Sequence, residues 1–147
     1  MSIDYLYRQI IMDHYKNPYN KGLTEDKNYL TTNLHNPSCG DDVTVQVLVE
    51  DKIVKDIRQI GKGCSICCSS ASVMSVTLKG LEINKALKTI DSFYNLLMNK
   101  PYDQELLKGD ALAYSGVGRF PARIGCATLP WKAIEALIIK HKENNNG

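Results

Sequence analysis

Residues 43–60 read VTVQVLVEDKIVKDIRQI, and this stretch decides the fold class. Its first half places valine at every second position, from Val43 to Val49, which is the period of a β-strand with one buried face. Asp51-Lys52 then predicts a tight turn, and residues 53–60 predict the partner strand. Residues 28–35 predict a further strand before the hairpin. Together these segments predict a short antiparallel sheet of about three strands.

Outside the hairpin, the apolar residues recur with a helical period. Helices are expected over residues 3–16, 65–79, 82–98 and 103–108, and from Pro121 to about Lys142. Gly80 follows the second of them as a helix-ending glycine does, and Pro130 marks either the true start of the last helix or a kink in it. Residues 114–120, with two glycines, are expected to be mobile. Strands that precede a run of helices indicate an α+β fold, with the sheet packed against several helices.

Length and composition fit an ordinary globular protein. A chain of 147 residues is long enough to bury one core, so we expect a single domain over residues 1–147, with a frayed polar tail at 143–147. The net charge of +2 is too small to indicate a nucleic-acid partner. No apolar run is long enough for a membrane span, and the N-terminus does not look like a signal peptide. We therefore expect a soluble, cytoplasmic protein.

The cysteines carry the functional signal. An odd number, five, in a chain without a secretion signal favours metal or thiol chemistry over a disulfide framework. Cys39, Cys64 and Cys126 are all predicted at the ends of elements, where loops leave side chains accessible. Glycines beside them allow the backbone to approach a ligand closely. If these three ends converge, three thiolates meet at one point.

Asp41, two residues after Cys39, is the candidate fourth ligand. Cys64 is predicted at a helix start, where the positive end of the helix favours a thiolate. Thiolates bind Zn²⁺ and iron–sulfur clusters, and a carboxylate among them is the ligand that exchanges more readily. A shell of three thiolates and one carboxylate carries more negative charge than zinc neutralises. Arg119, Arg123 and Lys62 are the basic residues predicted to offset the excess.

The remaining cysteines and the histidines have competing interpretations. Cys64-x-x-Cys67 fits a redox or zinc motif, but Cys67 and Cys68 lie among small residues and are more typical of helix packing. His14 ends an amphipathic helix, which favours a structural role. His35 fits a strand end better than a ligand, although it precedes Cys39 by only four residues. No serine–histidine–aspartate set, phosphate loop or pair of catalytic carboxylates is recognisable in the sequence.

At these residues the chain resembles the IscU/NifU-N-like iron–sulfur assembly proteins, and within them the SufU branch. The segments that match cover nearly the whole chain: Tyr7–Pro18, Asn36–Asp41, Gly61–Ser72 and Arg119–Ala127. The stretch of about 95–118 resembles the insertion typical of the SufU branch. Gly125 stands where IscU-type proteins carry a histidine before the third cysteine, and SufU-type proteins also lack that histidine. The usual basic neighbour of SufU relatives is absent there too.

The resemblance implies an IscU/SufU-like fold and a zinc site formed by Cys39, Asp41, Cys64 and Cys126. It further implies that Cys39 receives persulfide sulfur from a SufS-type cysteine desulfurase and that the sulfur passes to a downstream iron–sulfur scaffold. If the chain is an enzyme, it is then a zinc-dependent sulfurtransferase.

Two alternatives stay open at this point. In the first, the same residues bind iron or a [2Fe–2S] cluster, and the chain is itself an IscU-like scaffold that assembles and transfers the cluster. In the second, the zinc site is purely structural, although the carboxylate ligand and the polar PSCGD turn at residues 37–41 weigh against this.

Overall fold

The structure is a computed structural model, and it describes residues 3–146. Three strands form one antiparallel sheet in the order β1-β2-β3, so the predicted α+β class is confirmed. The elements are α1 (Ile3–Lys16), β1 (Leu30–Asn36), β2 (Asp41–Glu50), β3 (Ile53–Lys62), α2 (Ser65–Leu78), α3 (Ile83–Leu97), a 3₁₀ helix (Gly109–Arg119) and α4 (Pro121–Asn146).

The β2–β3 hairpin forms as its alternation predicts. Val43, Val45 and Val47 are almost fully buried on the face that packs against the helices. Asp51 and Lys52 both have positive φ, at 54° and 63°, and Glu50 pairs directly with Ile53 across the turn. Positive φ at both central residues is the two-residue turn that suits the right-handed twist of a hairpin. The turn prediction is therefore confirmed.

Helix α2 is buried although serine is frequent in it, because its hydroxyl groups have partners. Trp131 Nε1 donates to Ser70 Oγ at 2.9 Å, and Ser70 Oγ donates to the carbonyl of Ala127 at 2.6 Å. Within residues 3–146, no buried side-chain nitrogen or oxygen lacks a hydrogen-bond partner, as expected for a well-formed core. These bonds fix α4 against α2 immediately after Cys126, and so fix the position of Cys126 relative to the start of α2.

An aromatic group joins the C-terminal helices. Trp131 of α4 stacks on Phe93 of α3, with ring centroids 3.9 Å apart, and Tyr114 meets Phe93 edge-on at 5.8 Å. All three rings are fully buried. Ring contacts of this kind, stacked or edge-on, add to the free energy of burial. They hold α4 and the 3₁₀ helix in place around the core.

Residues 103–120 differ in part from what the sequence predicts. Residues 103–108 form turns in place of a helix: the Asp103 carbonyl accepts from Leu106 and Leu107, and the segment is too short to form a stable helix between Pro101 and Gly109. Residues 114–119 belong to the 3₁₀ helix, which the sequence did not predict, and their expected mobility stays a prediction. A Cβ on Gly118 would clash with the Leu97 carbonyl, so this glycine permits close packing on α3.

The last helix is longer than predicted. It begins at Pro121, so Pro130 lies inside it and does not start it. It continues to Asn146, through the segment predicted to be frayed, while Gly147 lies outside the described residues. Asn145 Nδ2 donates to the His141 carbonyl at 2.8 Å, and Lys142 Nζ donates to Asn84 Oδ1 of α3 at 2.8 Å. These polar contacts support the final turns of α4.

His14 of α1 has the structural role that the sequence favours. It is only 4% exposed. Its Nδ1 lies 2.8 Å from Ser72 Oγ of α2, and its Nε2 lies 2.7 Å from Asp110 Oδ2 at the start of the 3₁₀ helix. One side chain therefore links three elements by hydrogen bonds. This bridge fixes α1 against the rest of the fold.

Replacing His14 with alanine is expected to lower the free energy of unfolding by about 1–3 kcal/mol, because it leaves a cavity and removes one of the hydrogen-bond partners of buried Ser72, whose Oγ also accepts the Tyr19 N–H. Urea unfolding followed by circular dichroism measures the change. His35→Ala is the control: His35 is 65% exposed, and its loss should change the free energy by no more than about 0.5 kcal/mol. Equal losses in both variants would contradict the bridging role.

Candidate metal centre

Asp41 is the anchor of the site. It is the first residue of β2, and its side chain is almost completely buried, at 1% exposure. Its Oδ1 accepts the backbone N–H of Cys64 at 2.9 Å, and its Oδ2 lies 3.7 Å from Cys64 Sγ. A buried carboxylate requires such partners because losing its hydration is costly. Asp41 thus joins the start of β2 to the start of α2.

Gly63 makes this contact between Asp41 and Cys64 possible. Its φ of +127° lies in a region that side-chain-bearing residues rarely adopt. A Cβ at this position would stand 2.9 Å from Asp41 Cα and would clash with the carboxylate oxygen. The sequence indicates a glycine loop here, and the structure gives the specific reason: the backbone passes directly over Asp41.

Cys64 caps the N-terminus of α2, as predicted. Its backbone is extended, with φ −71° and ψ 160°, and its Sγ accepts the backbone N–H of Cys67 at 3.5 Å. An N-cap residue normally offers an oxygen to this N–H group. Here a sulfur takes that role, which orients it toward the end of the helix where negative charge is favoured.

Cys39 and Cys126 bring the other two sulfurs together. The Cys126 thiol donates to Cys39 Sγ at 3.2 Å, and both sulfurs lie 3.8 Å from the carbonyl oxygen of Ala122. Cys126, in the first turns of α4, is fully buried, whereas Cys39, in the β1–β2 loop, is only partly buried. A molecule approaching from solvent therefore meets Cys39 before Cys126.

Asn36 is a positioning residue that the sequence reasoning missed. Its carbonyl accepts the N–H groups of Cys39 and Gly40, at 3.2 and 2.9 Å, and so shapes the turn that carries Cys39. Its Nδ2 lies 3.8 Å from Cys126 Sγ. The same Nδ2 lies beside Gly125, where a Cβ would meet it at 3.2 Å. The Asn-Pro-Ser sequence of the loop signals a turn, but not the contact with α4.

The donor atoms fit a metal ion. One ligand atom each from Cys39, Asp41 and Cys126 lies within 4.8 Å of the others. Cys64 falls outside this group of three, with its sulfur beside the Asp41 carboxylate. Zinc–sulfur bonds of about 2.3 Å place tetrahedral ligands about 3.8 Å apart, so these donors need only small side-chain adjustments. Three thiolates and one carboxylate are donors that zinc accepts.

The pKa shifts of the Cys126 thiol and of the Arg123 guanidinium indicate that the site favours a bound cation. Burial raises the pKa of the Cys126 thiol, and hydrogen bonds with Asp41, Cys39 and Cys64 raise it further. The hydrogen bond with Cys126, together with the charges of the three cysteines, raises the pKa of the exposed Arg123 guanidinium. A thiol in such surroundings gives up its proton only when a cation compensates the charge.

The three predicted basic residues are placed differently. Arg123 is the one whose guanidinium pKa is raised by the thiol cluster, so it lies within electrostatic reach of the sulfurs. Arg119 instead has Nη2 4.0 Å from Asp4 Oδ1 of α1 and donates from Nε to the Gly116 carbonyl at 3.4 Å. Lys62 is exposed at the end of β3, where it lines a polar cleft with Lys21 and Cys68.

The other cysteines and histidines stay apart from the four donors. Cys67 is fully buried in the core, as the predicted helix packing requires, and burial raises the pKa of both the Cys67 and the Cys68 thiols. His35 Nδ1 lies 2.7 Å from Asp42 Oδ2 in an exposed pair at the strand end. His141 lies in the last turns of α4.

Comparison with known proteins agrees with this geometry. The family described as the NifU-like N terminal domain matches residues 6–146. The chain belongs to this family. The match spans every strand and nearly all of the helical structure described above, together with all four donor residues, so the resemblance seen in the sequence is confirmed.

Two relatives show where the chain lies within the family. It is 44% identical over 144 residues to the zinc-dependent sulfurtransferase SufU of Bacillus subtilis, with 98% of this chain and 97% of the relative covered. It is 31% identical over 136 residues to the iron–sulfur cluster assembly scaffold protein IscU of Streptococcus pyogenes, with 92% and 84% covered.

Solved structures confirm the IscU/SufU-like fold. A putative scaffold protein for the SUF system from Fervidobacterium islandicum superposes with a TM-score of 0.79 at 29% identity, covering 92% of this chain and 98% of that one. A protein solved at 2.3 Å superposes with a TM-score of 0.83 at 32% identity and the same coverage. Within residues 3–146, no helix is both long and apolar enough to cross a membrane.

Proposed function

We propose that this chain is a zinc-dependent sulfur acceptor in iron–sulfur cluster assembly. In this proposal, Cys39 takes persulfide sulfur from a SufS-type cysteine desulfurase and passes it to a downstream iron–sulfur scaffold. The observation that carries the proposal is the thiol–carboxylate cluster of Cys39, Asp41 and Cys126, in which Cys39 is the member open to solvent. The likeness to a sulfurtransferase named as zinc-dependent supports it.

Cys39, Asp41, Cys64 and Cys126 are the residues that would hold Zn²⁺. Bound zinc would supply the positive charge that keeps these thiols deprotonated at neutral pH. Asp41 is the hard ligand among soft ones and the most deeply anchored of the four, through its bond to the Cys64 backbone. It would keep the site assembled while Cys39 reacts.

The transfer is a thiol–persulfide exchange. The Cys39 thiolate attacks the outer sulfur of the desulfurase persulfide and forms a new S–S bond. The S–S bond of the donor breaks, and the donor cysteine leaves as a thiolate, so no outside oxidant or reductant is needed. Arg123, beside the sulfurs, stabilises the anionic persulfide left on Cys39.

Exposure supports Cys39 as the acceptor. Its neighbours Pro37, Ser38 and Gly40 are all exposed, so a partner protein can approach the turn. Cys126 is fully buried beneath the start of α4, and the Cys64 sulfur is engaged as the cap of α2. An incoming persulfide therefore meets Cys39 first.

The decisive experiment measures turnover of the desulfurase from the same source with and without the zinc-loaded chain. We expect strong stimulation, together with a mass increase of one sulfur atom on Cys39 in non-reducing mass spectrometry. A chain that binds zinc but gives neither stimulation nor the adduct would refute the proposal.

The scaffold alternative keeps the same four donors and has support in the IscU-named relatives. It predicts that reduced protein assembles a [2Fe–2S] cluster and transfers it to an apoprotein. The histidine that the resemblance associates with scaffolds is replaced by Gly125, where an added Cβ would lie 3.2 Å from Asn36 Nδ2. We therefore favour the sulfur acceptor. The predicted cytoplasmic location and the single domain over residues 1–147 stay predictions.

Arg123 and Arg119 form a matched pair for testing the site electrostatics. Arg123→Ala is expected to lower the rate of sulfur acceptance about tenfold, because the anionic persulfide loses a charged hydrogen-bond donor. Arg119→Ala removes the same charge from an arginine that lies against Asp4, so its effect should be no more than about twofold. The rate of desulfurase stimulation measures both, and equal effects would contradict the assignment of Arg123.

A further inference from the structure

The proposed function leaves one sequence feature unused: the Cys64-Ser65-Ile66-Cys67 motif at the start of α2. Cys67 is completely buried, at 0% exposure, and it does not belong to the four donors. Its sulfur has no part in the transfer chemistry of Cys39. A cysteine three positions after a helix-capping cysteine is nevertheless the arrangement of dithiol redox sites.

The cap geometry directs the Cys64 sulfur toward Cys67. Because Cys64 is extended and not helical, its side chain folds over the first turn of α2, where Sγ accepts the Cys67 N–H at 3.5 Å. Cys67 donates this hydrogen bond from its backbone, and its own side chain carries the second sulfur of the motif. The two cysteines therefore occupy the positions of a dithiol site at a helix start, with the Cys64 sulfur folded over the turn that carries Cys67.

The other thiols have different nearest neighbours. Cys39 and Cys126 face each other at 3.2 Å, so each has a sulfur partner. The Cys68 sulfur lies 3.9 Å from the Gly63 carbonyl and lines a polar cleft with Lys21 and Lys62. The Cys64-x-x-Cys67 spacing therefore selects Cys67 as the partner of Cys64, and the experiment below tests Cys68 as the competing partner.

We propose that Cys64 and Cys67 form a redox-active dithiol in which Cys67 resolves oxidised Cys64. Hydrogen peroxide is the oxidant class: the Cys64 thiolate takes one oxygen from it and becomes a sulfenic acid, with release of hydroxide. The Cys67 thiol then attacks the Cys64 sulfur. The new S–S bond forms as the S–O bond breaks, and the departing hydroxide takes the Cys67 proton to leave as water.

The disulfide acts as a switch on the site. It removes Cys64 from the donor set, and a dithiol reductant restores the ligand. Cys67 needs no access to solvent for this role, because its reaction partner is inside the same helical turn. The inference goes beyond the proposed function and holds whether or not Cys39 accepts sulfur.

Tryptic fragments separate the possible disulfides. Cys64, Cys67 and Cys68 all lie in fragment 63–79, Cys39 lies in 28–52, and Cys126 lies in 124–132. A disulfide of Cys39 with Cys126 joins two fragments and serves as the internal control for oxidation. A Cys64–Cys67 disulfide stays within fragment 63–79 and lowers its mass by two hydrogen atoms.

The experiment treats the reduced, metal-free full chain with hydrogen peroxide, blocks free thiols with iodoacetamide, and maps the fragments by non-reducing tandem mass spectrometry. We expect fragment 63–79 to carry one alkyl group, on Cys68, and dithiothreitol before alkylation to restore three. Alkylation of Cys67 in place of Cys68, or linkage of fragment 63–79 to either of the other two, would overturn the proposal.

Two serine variants make the assignment specific. Cys67→Ser should abolish the disulfide within fragment 63–79, whereas Cys68→Ser should leave it intact. An internal disulfide that persists in Cys67→Ser, or disappears in Cys68→Ser, would also overturn the proposal. If Cys67→Ser does not fold by circular dichroism, Cys67→Ala replaces it, and the mapping of the wild-type chain decides the pairing by itself.

Discussion

Cys39→Ser is expected to lower sulfur acceptance from the desulfurase by more than about 100-fold, because the hydroxyl cannot carry the transferred sulfur as a persulfide. Desulfurase turnover and the mass of one added sulfur atom both measure this loss. The fold should be unaffected, since Cys39 lies in an accessible turn whose shape depends on the Asn36 carbonyl and not on the sulfur.

Cys68→Ser is the matched control for that variant. Its thiol is also partly buried, but it lies in the cleft with Lys21 and Lys62, apart from the donor cluster. We expect it to accept sulfur at the wild-type rate. Full activity of Cys39→Ser would refute the role of Cys39 as acceptor, and equal losses in the two variants would point to a structural effect.

Gly63→Ala is expected to have the largest effect on stability, lowering the free energy of unfolding by about 3 kcal/mol or more, because two costs combine in this variant. The positive φ strains any side-chain-bearing residue, and the added Cβ would clash with the backbone and carboxylate of Asp41. Because Asp41 must move, zinc binding should fall together with stability. Urea unfolding and a zinc titration measure the two losses.

Gly80→Ala is the control that separates the cost of backbone strain from the cost of the steric clash with Asp41. Gly80 also has a positive φ, of +91°, but nothing lies within 4 Å of the position that a Cβ would occupy there. We expect this variant to lose about 1–2 kcal/mol of stability and to bind zinc as the wild type does. If Gly63→Ala and Gly80→Ala lose the same amount of stability and both bind zinc normally, the close packing of Gly63 on Asp41 contributes neither to stability nor to zinc binding.

Local patterns in the sequence predict the parts of the structure that local forces determine. The alternation from Val43 to Val49 and the Asp51-Lys52 turn predict the hairpin with its correct partner strand. Cys64 is correctly predicted at a helix start, because glycines precede it and a run of small residues follows. From their positions at element ends, the cysteines are predicted to meet only if those ends converge. The structure brings Cys39, Asp41 and Cys126 together.

Contacts between distant segments could not be predicted in this way. The role of Asn36 arises because α4, some ninety residues later, packs against the β1–β2 loop. Arg119 and Arg123 are equivalent in a linear sequence, but the 3₁₀ helix directs Arg119 to Asp4 and leaves Arg123 near the sulfurs. The same 3₁₀ helix escapes prediction because its buried contacts, such as those of Tyr114, depend on α2 and α3.

The donors come from three separate parts of the chain, and the last of them, Cys126, lies in the final helix. During synthesis on the ribosome, a chain that ends before Pro121 already contains Cys39, Asp41 and Cys64 but lacks the fourth donor. The helix that supplies it must also be long enough to pack on α2 and Phe93 before Cys126 is held in position. In the proposed function, a metal ion can therefore meet all four donors only after α4 has packed onto the rest of the domain.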